Sequence, residues 1–171
     1  MKTHNTSTFV TVLALLGLAA GCTKSTPTAQ DTAADEAQIR QVLGEIASTF
    51  DAGDYDGMFA RYLDDVIVSS PGQPDIVGKP AWQQAMKSSL PPNVGMKLHF
   101  DTQELVVAGD LAYERGTYAL QVSDKANGAE LAKIGGRHIH IFKRQADGQW
   151  KGWRLFENSP DAAAPTGPPP N

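Results

Sequence analysis

Two histidines in an otherwise apolar run are the residues of this sequence best suited to chemistry. His138 and His140 lie in the stretch GGRHIHIFKR. A histidine ring can bind a metal ion, exchange a proton near neutral pH, or form a polar spot in a cavity wall. Because residues two apart on a strand share a face, both rings should point the same way as Phe142 and away from Ile139 and Ile141.

A catalytic role would require a second group that shares a proton with a histidine. Glu114, Glu157 and Tyr118 are the candidate partners, and histidine suits general base catalysis because it titrates near neutral pH. No complete set of nucleophile, base and orienting group can be traced. The sequence therefore favours a hydrogen-bonded cavity wall. His138 and His140 are the candidate catalytic residues of the alternative, an enzyme.

A metal site is the other specific interpretation of the two histidines. A zinc site needs three or four ligands, and the His-x-His pair supplies two. His99, Asp101 and Glu157 are conceivable third ligands, but no spacing points to any of them. The sequence therefore predicts no metal site, and no pattern in it indicates a cofactor.

Three helices are predicted in the first part of the chain, before the two histidines. Apolar residues at spacings of three and four predict helices over residues 35–52, 55–63 and 80–90. The second helix is expected to bury Tyr62. The third begins at Pro80, a residue that suits a first helical turn.

Most of the predicted strands follow the helices. Runs of alternating or β-branched residues, bounded by turn residues, predict strands over residues 66–70, 96–109, 111–122, 129–144 and 149–158. Helices first and an antiparallel meander last predict an α+β fold, a curved sheet with helices on one face. Gly135 and Gly136 are expected to form a bulge that bends the long strand.

The N-terminus has the three parts of a secretory signal. A basic Lys2 precedes an apolar run of about 12 residues, shorter than the roughly 20 that span a membrane. The following LAAGC ends in the single cysteine, Cys22, and resembles a bacterial lipobox. It predicts a signal peptide over residues 1–21 and a membrane anchor through lipid on Cys22. Thr23 at the next position favours the outer membrane, with the domain facing the periplasm.

The expected domain lies between two ends of biased composition. Residues 22–34 are small and polar and predict a flexible, lipid-anchored tether. Residues 159–171 are rich in Pro and Ala and predict a disordered tail. One domain over residues 35–158 remains, long enough to bury a core. The formal net charge of −4 argues against nucleic acid as a partner, since such binding calls for clustered basic residues.

Several stretches of this domain resemble a known superfamily. FDAGDYDGMFARYLDDVIVSS, VAGDLAYERGTYAL and DGQWKGWRLFENSP are similar, in order and spacing, to nuclear transport factor 2-like (NTF2-like) proteins. The branch they resemble most is SnoaL-like and ketosteroid isomerase-like, of the domain of unknown function 4440 type. The resemblance covers residues 35–158. It implies a cone of three N-terminal helices packed in a strongly curved, mostly antiparallel sheet with a central pocket.

The resemblance to steroid isomerases implies a mechanism that the residues do not support. In those enzymes a carboxylate base moves a proton, while a tyrosine and a protonated aspartic acid stabilise the oxyanion. The matching positions hold Ser70 for the base, Ile46 for the tyrosine and His140 for the second acid. Serine cannot act as a carboxylate base and isoleucine donates no hydrogen bond. Steroid isomerase activity by that mechanism is therefore not expected.

The resemblance instead implies a pocket for a small, largely apolar molecule, or a module that binds a partner protein. Besides the two histidines, the predicted lining consists of Phe50, Tyr62, Val68, Ser70, Trp82, Met86, Phe100 and Phe142. The alternative is an isomerase, cyclase or dehydratase that uses a pocket histidine as general base. The convex face of the sheet, with Ile139 and Ile141, is expected to form a homodimer contact. A purely structural dimer with a filled pocket is the third interpretation.

Overall fold

The computed structural model describes residues 29–159, with side chains from residue 32 onward. Its helices are α1 (Ala29–Asp51), α2 (Tyr55–Phe59) and α3 (Lys79–Ser89). Its strands are β1 (Tyr62–Ser69), β2 (Ile76–Val77), β3 (Val94–Ala108), β4 (Leu111–Asp124), β5 (Glu130–Arg144) and β6 (Trp150–Asn158). Within this range no helix is long and apolar enough to cross a membrane. The predicted signal peptide, the lipidation site at Cys22 and the predicted tail beyond Ser159 lie outside the described residues.

The six strands form one sheet in the order β2-β1-β6-β5-β4-β3. Neighbouring strands are antiparallel, except that β1 and β6 run parallel. The hairpin between β3 and β4 turns through Gly109 and Asp110, and Gly109 has a φ of 64° that glycine adopts without strain. The predicted α+β class, with three helices and a mostly antiparallel sheet, is confirmed.

The first helix packs against β3. Its inward stripe is buried and consists of Ile39, Val42, Leu43 and Ile46, as the spacing predicted. The Asp51 carboxylate at its end accepts the Leu98 N–H at 2.7 Å and ties the helix to β3. Because α1 begins at Ala29, residues 29–34 are helical, although the sequence predicted a flexible tether there.

The second helix is shorter than predicted. Asp54 caps its start by accepting the Gly57 N–H at 2.9 Å, and the helix ends at Phe59. Tyr62 therefore belongs to β1, where it pairs with Gly152 of β6, and it is buried as expected. Pairing with a distant strand overrides the local helical pattern, because tertiary contacts outweigh the weak propensity of a short segment.

The third helix is less buried than predicted. Pro80 lies in its first turn as expected, but no residue of α3 is fully buried. Trp82 and Met86 are half-buried. The Trp82 ring meets Phe59 and Tyr62 edge-on, with centroid distances of 5.0 and 4.8 Å. The helix thus lies at the rim of the core and leaves space beneath Trp82 and Met86.

The bulge predicted at Gly135 and Gly136 is wrong. Both glycines pair regularly with β4, opposite Ala119 and Tyr118. A Cβ on Gly136 would lie 2.9 Å from the Tyr118 ring, so the glycine makes room for that ring. Register shifts occur elsewhere, between Thr102 and Glu104, between Val122 and Ser123, and between Ile141 and Phe142.

An ion pair fastens the start of α1 to the sheet. The Arg144 guanidinium donates to both carboxylate oxygens of Asp35, and the Trp150 indole N–H donates to Asp35 Oδ1 at 3.1 Å. The hydrogen bond from Arg144 holds the pKa of the Asp35 carboxyl below its usual value. Arg144 also lies over the Trp150 ring, 4.5 Å from its centroid. We call these three side chains the rim clamp.

Candidate functional site

Both histidines point into the molecule. They lie on β5, which is flanked by β4 and β6, and His138 and His140 are 3% and 0% exposed. Phe142 is also buried, whereas Ile139 is 41% exposed and Ile141 is half-buried. The alternation predicted for this strand is confirmed, and it brings both imidazoles to the inner side of the sheet.

A glutamate on the next strand meets both rings. Glu114 of β4 is the register partner of His140, so His138 lies on the diagonal, within reach of the same side chain. Glu114 Oε2 lies 2.8 Å from His138 Nε2 and 3.5 Å from His140 Nδ1. All three side chains are fully buried. We call Glu114, His138 and His140 the buried cluster.

The buried cluster holds an ionised carboxylate away from water. Burial alone would raise the pKa of the Glu114 carboxyl, but the hydrogen bond with His138 and the nearby His140 ring lower it to about 2. Burial lowers the pKa of the His140 imidazole, which favours its neutral form at pH 7. Partners rather than desolvation therefore decide the charge on Glu114.

The buried cluster is also the group of described residues that could hold a metal ion. One ligand atom from each side chain lies within 4.8 Å of the others. The third ligand is Glu114, which the sequence suggested only as a proton partner. Although the sequence predicted no metal site, it offered three conceivable third ligands, and two of them, His99 and Asp101, are exposed on β3. The other, Glu157, is hydrogen-bonded to Ser70.

Four aromatic side chains lie against the buried cluster, and two of them, Tyr62 and Phe100, make its closest contacts. The Tyr62 hydroxyl lies 3.3 Å from His140 Nε2, and burial raises the pKa of this phenol, which stays protonated. The Phe100 ring packs edge-on against His138 and His140, with centroid distances of 5.0 and 5.3 Å. Tyr62 and Phe100 also line a cavity, so they connect the cluster to it.

The cavity has a volume of about 190 Å³ and lies between the helices and the sheet. Five predicted lining residues do line it: Phe50, Tyr62, Trp82, Met86 and Phe100. The rest of its lining consists of Ile46, Met58, Leu98, Tyr118, Leu120, Leu155 and Glu157. The wall is thus apolar apart from two phenols and one carboxyl, which is the usual make-up of a small-molecule site.

Five other residues predicted to line the pocket do not line this cavity. His138, His140 and Phe142 are buried in the solid part of the core, because aromatic side chains from other strands cover β5. Val68 and Ser70 line a separate depression beside β2 and α3, since they lie towards the far end of β1. Their predicted part in ligand binding stays a prediction.

Glu157 supplies the carboxyl among the seven cavity residues that the sequence did not assign to the lining. Its Oε2 accepts a hydrogen bond from the Ser70 hydroxyl at 3.0 Å. Burial raises the pKa of the Glu157 carboxyl, and this outweighs the Ser70 bond. Burial also raises the pKa of the Tyr118 phenol in the same wall. The carboxyl therefore lies beside the serine that was aligned with the base of steroid isomerases, and comes from another strand.

The sequence did contain a signal for Glu157. Leu155 and Glu157 are two positions apart on β6, so an inward Leu155 implies an inward Glu157. Leu155 is buried and Glu157 is half-buried, while Phe156 between them is 43% exposed. The alternation on β6 carries this signal from Arg154 onward, because the register shift between Gly152 and Arg154 interrupts it.

The fold of the chain is similar to that of NTF2-like proteins of known structure. A ketosteroid isomerase-like protein from Erwinia carotovora atroseptica is 24% identical, with a TM-score of 0.59 over 72% of this chain and 96% of that one. An NTF2-like protein with a cystatin-like fold from Novosphingobium aromaticivorans is 17% identical, with a TM-score of 0.59 over 82% and 95%. A Catenulispora acidiphila protein in complex with S-DNPA is 14% identical, with a TM-score of 0.58 over 73% and 94%. At such identities the likeness shows the fold alone.

A match of the sequence to a family model assigns the chain to one family with the NTF2-like fold. Residues 31–155 match the SnoaL-like domain, and the chain belongs to that family. No curated protein matches the sequence. The resemblance found in the sequence is therefore confirmed for the fold and the family. The geometry of the cavity is the observation that bears on the ligand and the chemistry.

Proposed function

We propose that this domain binds a small, largely apolar molecule in the cavity. The observation that carries the proposal is a space of about 190 Å³ with an apolar wall and three polar side chains, Tyr62, Tyr118 and Glu157. Such walls bind apolar molecules, and the few polar groups orient them. Membership of the SnoaL-like family and a structural neighbour in complex with S-DNPA support the proposal.

The bound molecule would carry a polar group on an apolar body. Tyr118 and Glu157 offer a hydroxyl and a carboxyl to that group. A wider surface groove of about 470 Å³ shares Met86 with the cavity. Because methionine is flexible, Met86 is suited to let a ligand pass from the groove into the cavity.

A tryptophan placed in the cavity tests the proposal. Leu120 lines the cavity from β4, whereas Leu111 on the same strand is 43% exposed. Leu120→Trp should weaken binding of 2-naphthol, a fluorophore small enough for the cavity, by about tenfold or more. Leu111→Trp is the matched control and should leave the affinity unchanged. A wild-type chain that does not bind the probe, or equal affinities in both variants, would refute the proposal.

A second candidate function is acid–base catalysis on the bound molecule, as an isomerase, cyclase or dehydratase. The observation that favours it is a half-buried carboxyl that faces an apolar cavity and whose pKa burial raises. In such an environment carboxyl groups act as proton carriers. His138 and His140 were the bases expected from the sequence. The geometry favours Glu157 over both, because it lines the cavity and they do not.

Hydrogen–deuterium exchange can detect such proton abstraction without a known substrate. In D₂O, the wild-type chain should accelerate exchange next to the carbonyl of apolar cyclic ketones, followed by NMR. Glu157→Gln should reduce this exchange by about 10²–10⁴-fold. His99→Gln, an exposed histidine on β3, is the control and should not change it. Equal exchange with and without Glu157 would exclude this carboxyl as the base.

We also propose that the domain is held at the outer membrane, facing the periplasm, by lipid on Cys22. The support is the LAAGC sequence that ends in the single cysteine. Cys22→Ser should release the protein from the membrane fraction into the soluble fraction on cell fractionation. Continued retention of the variant in the membrane fraction would contradict lipid anchoring.

A homodimer through the convex face of the sheet is a further proposal. Exposed apolar residues are paired across the strands there: Ile139 with Phe156, and Tyr113 with Val106. Exposed apolar patches on sheets favour contact with another surface. Ile139→Asp should convert a dimer to a monomer in analytical ultracentrifugation, and Leu131→Asp, near the far end of β5, should not. A monomeric wild-type chain would refute this proposal.

A further inference from the structure

The buried cluster has more ligand atoms than hydrogen bonds. Within residues 32–159, Glu114 Oε1, His138 Nδ1 and His140 Nδ1 are buried and have no hydrogen-bond partner. Buried polar atoms are normally paired, and an unpaired one costs free energy. Here three unpaired atoms belong to one fully buried group of side chains. Such a concentration needs a specific explanation.

The contacts of His140 indicate why these buried atoms have no hydrogen-bond partner. Its Nε2 lies 3.3 Å from the Tyr62 hydroxyl, and its Nδ1 lies 3.5 Å from Glu114 Oε2. When Nε2 carries the proton and donates to Tyr62, the Nδ1 lone pair faces the carboxylate. In the other tautomer, Nδ1–H would donate to the carboxylate over 3.5 Å, a long contact. In the first tautomer, the two electron-rich atoms face each other without water and repel each other. A cation bound between them would remove that repulsion.

We propose that Glu114, His138 and His140 bind a divalent transition-metal ion of the zinc type. Imidazole and carboxylate are ligands of this class of ion, with bonds of about 2.0–2.2 Å. The three ligand atoms lie within 4.8 Å of one another. To bind one ion they would need a small adjustment, in which the 2.8 Å contact between Glu114 Oε2 and His138 Nε2 widens to about 3.3 Å. Glu114 Oε1 is available as a fourth ligand.

The surroundings fit a closed site. A metal-bound histidine usually donates its other N–H to an oxygen atom, and the Tyr62 hydroxyl is suitably placed to accept from His140. All three ligand side chains are inaccessible to solvent. Closed coordination is typical of structural zinc sites, whereas catalytic sites keep an open position. The ion would fasten β4 to β5 next to the cavity. This inference goes beyond the proposed function and is independent of any ligand in the cavity.

Cobalt(II) is the probe for the test. The full chain carrying Cys22→Ser, so that no thiol can bind metal, is purified in mild detergent, stripped with EDTA and titrated with Co²⁺. One Co²⁺ per chain should bind, with the visible d–d absorption of a tetrahedral nitrogen and oxygen site, and Zn²⁺ should displace it. The zinc-loaded chain should also melt several degrees above the stripped chain, because the ion binds the folded state.

Variants then assign the ligands. Glu114→Gln and His140→Phe should each lose the d–d absorption, whereas His99→Asn, an exposed histidine on β3, should keep it. Circular dichroism shows whether each variant folds, and His138→Gln replaces any that does not. A wild-type site without the absorption, or an absorption that survives substitution within the cluster, overturns the proposal. The three side chains would then be only a hydrogen-bonded, proton-sharing group.

Discussion

Glu114 and Glu157 are two carboxyl groups on the inner side of one sheet, and their pKa values move in opposite directions. Burial acts to raise both. At Glu114 the two histidines outweigh burial and lower the pKa to about 2. At Glu157 the hydrogen bond from Ser70 does not outweigh burial, and the pKa rises. Burial is thus common to both carboxyls, and the partners decide which of them keeps its charge.

The difference separates two kinds of polar site in one small domain. Glu114 is a fixed anion in the solid core, suited to holding a cation or ordering two imidazoles. Glu157 faces empty space and can keep a proton closer to neutral pH, so it is suited to exchanging that proton with a ligand. Tyr62 lies between the two sites, with its hydroxyl near His140 and its ring in the cavity wall.

The difference in pKa between Glu114 and Glu157 depends most strongly on His138, the hydrogen-bond partner of Glu114. His138→Ala removes the 2.8 Å contact with the carboxylate and leaves the charge less compensated. We expect the free energy of unfolding to fall by about 3–5 kcal/mol, as for a broken buried pair, measured by urea denaturation at pH 7. His99→Ala, on the exposed side of β3, should change it by less than about 0.5 kcal/mol. A loss equally small for His138→Ala would mean that the carboxylate does not need its partner.

The position of Tyr62 between the two sites can be disturbed through Gly152. A Cβ at residue 152 would lie 2.5 Å from the Tyr62 ring, whereas one at Gly44 in α1 would meet nothing within 4 Å. Gly152→Ala should therefore destabilise the protein by about 2–3 kcal/mol. Gly44→Ala should stabilise it by about 0.5–1 kcal/mol, since alanine favours a helix. Thermal unfolding of both variants measures the difference, and similar midpoints would contradict the close packing of Tyr62.

The rim clamp tests, near solvent, the same rule that the partner of a carboxyl decides its charge. Asp35→Asn removes the ion pair with Arg144 and should cost about 1–2 kcal/mol at pH 7, because Asp35 still touches water. Since pairing lowers the folded pKa of Asp35 below 3.8, its stabilisation is fully present above pH 3.8 and is lost as the pH falls through the lowered folded value. Urea denaturation between pH 7 and 3 should show wild type and variant converging. Asp110→Asn, which breaks a more exposed contact of Arg144, should cost less.

Glu157 should give the smallest effect on stability and the opposite dependence on pH. Glu157→Gln can keep a contact with Ser70, so we expect a change within about 1 kcal/mol at pH 7. Because the folded pKa of Glu157 lies above 4.5, its contribution is fully present below pH 4.5 and is lost as the pH rises through the raised value. Wild type should therefore gain stability relative to the variant on acidification. A gain on alkalinisation would show that the carboxyl is stabilised as an anion.

Local patterns predicted the parts of the fold that depend on neighbours in sequence. The stripe from Ile39 to Ile46 gave α1 its buried face, and alternation on β5 turned both histidines inward. Tyr62 was assigned to a helix, although it belongs to a strand, because its pairing partner Gly152 is far away in the sequence. The start of α1 was placed too late, since a polar and small stretch resembles a tether even when it is helical.

For this protein, the sequence alone determined the family, the α+β order of elements and the side of the strand on which each histidine lies. The family follows from the resemblance of several stretches to known proteins, and the other two features follow from periods of 3.6 and 2, which are properties of single segments. Only the tertiary structure decided that Glu114 meets both histidines and that Glu157, not they, lines the cavity. Strand register and the packing of Tyr62 and Phe100 set those relations, and they join residues that no local pattern connects.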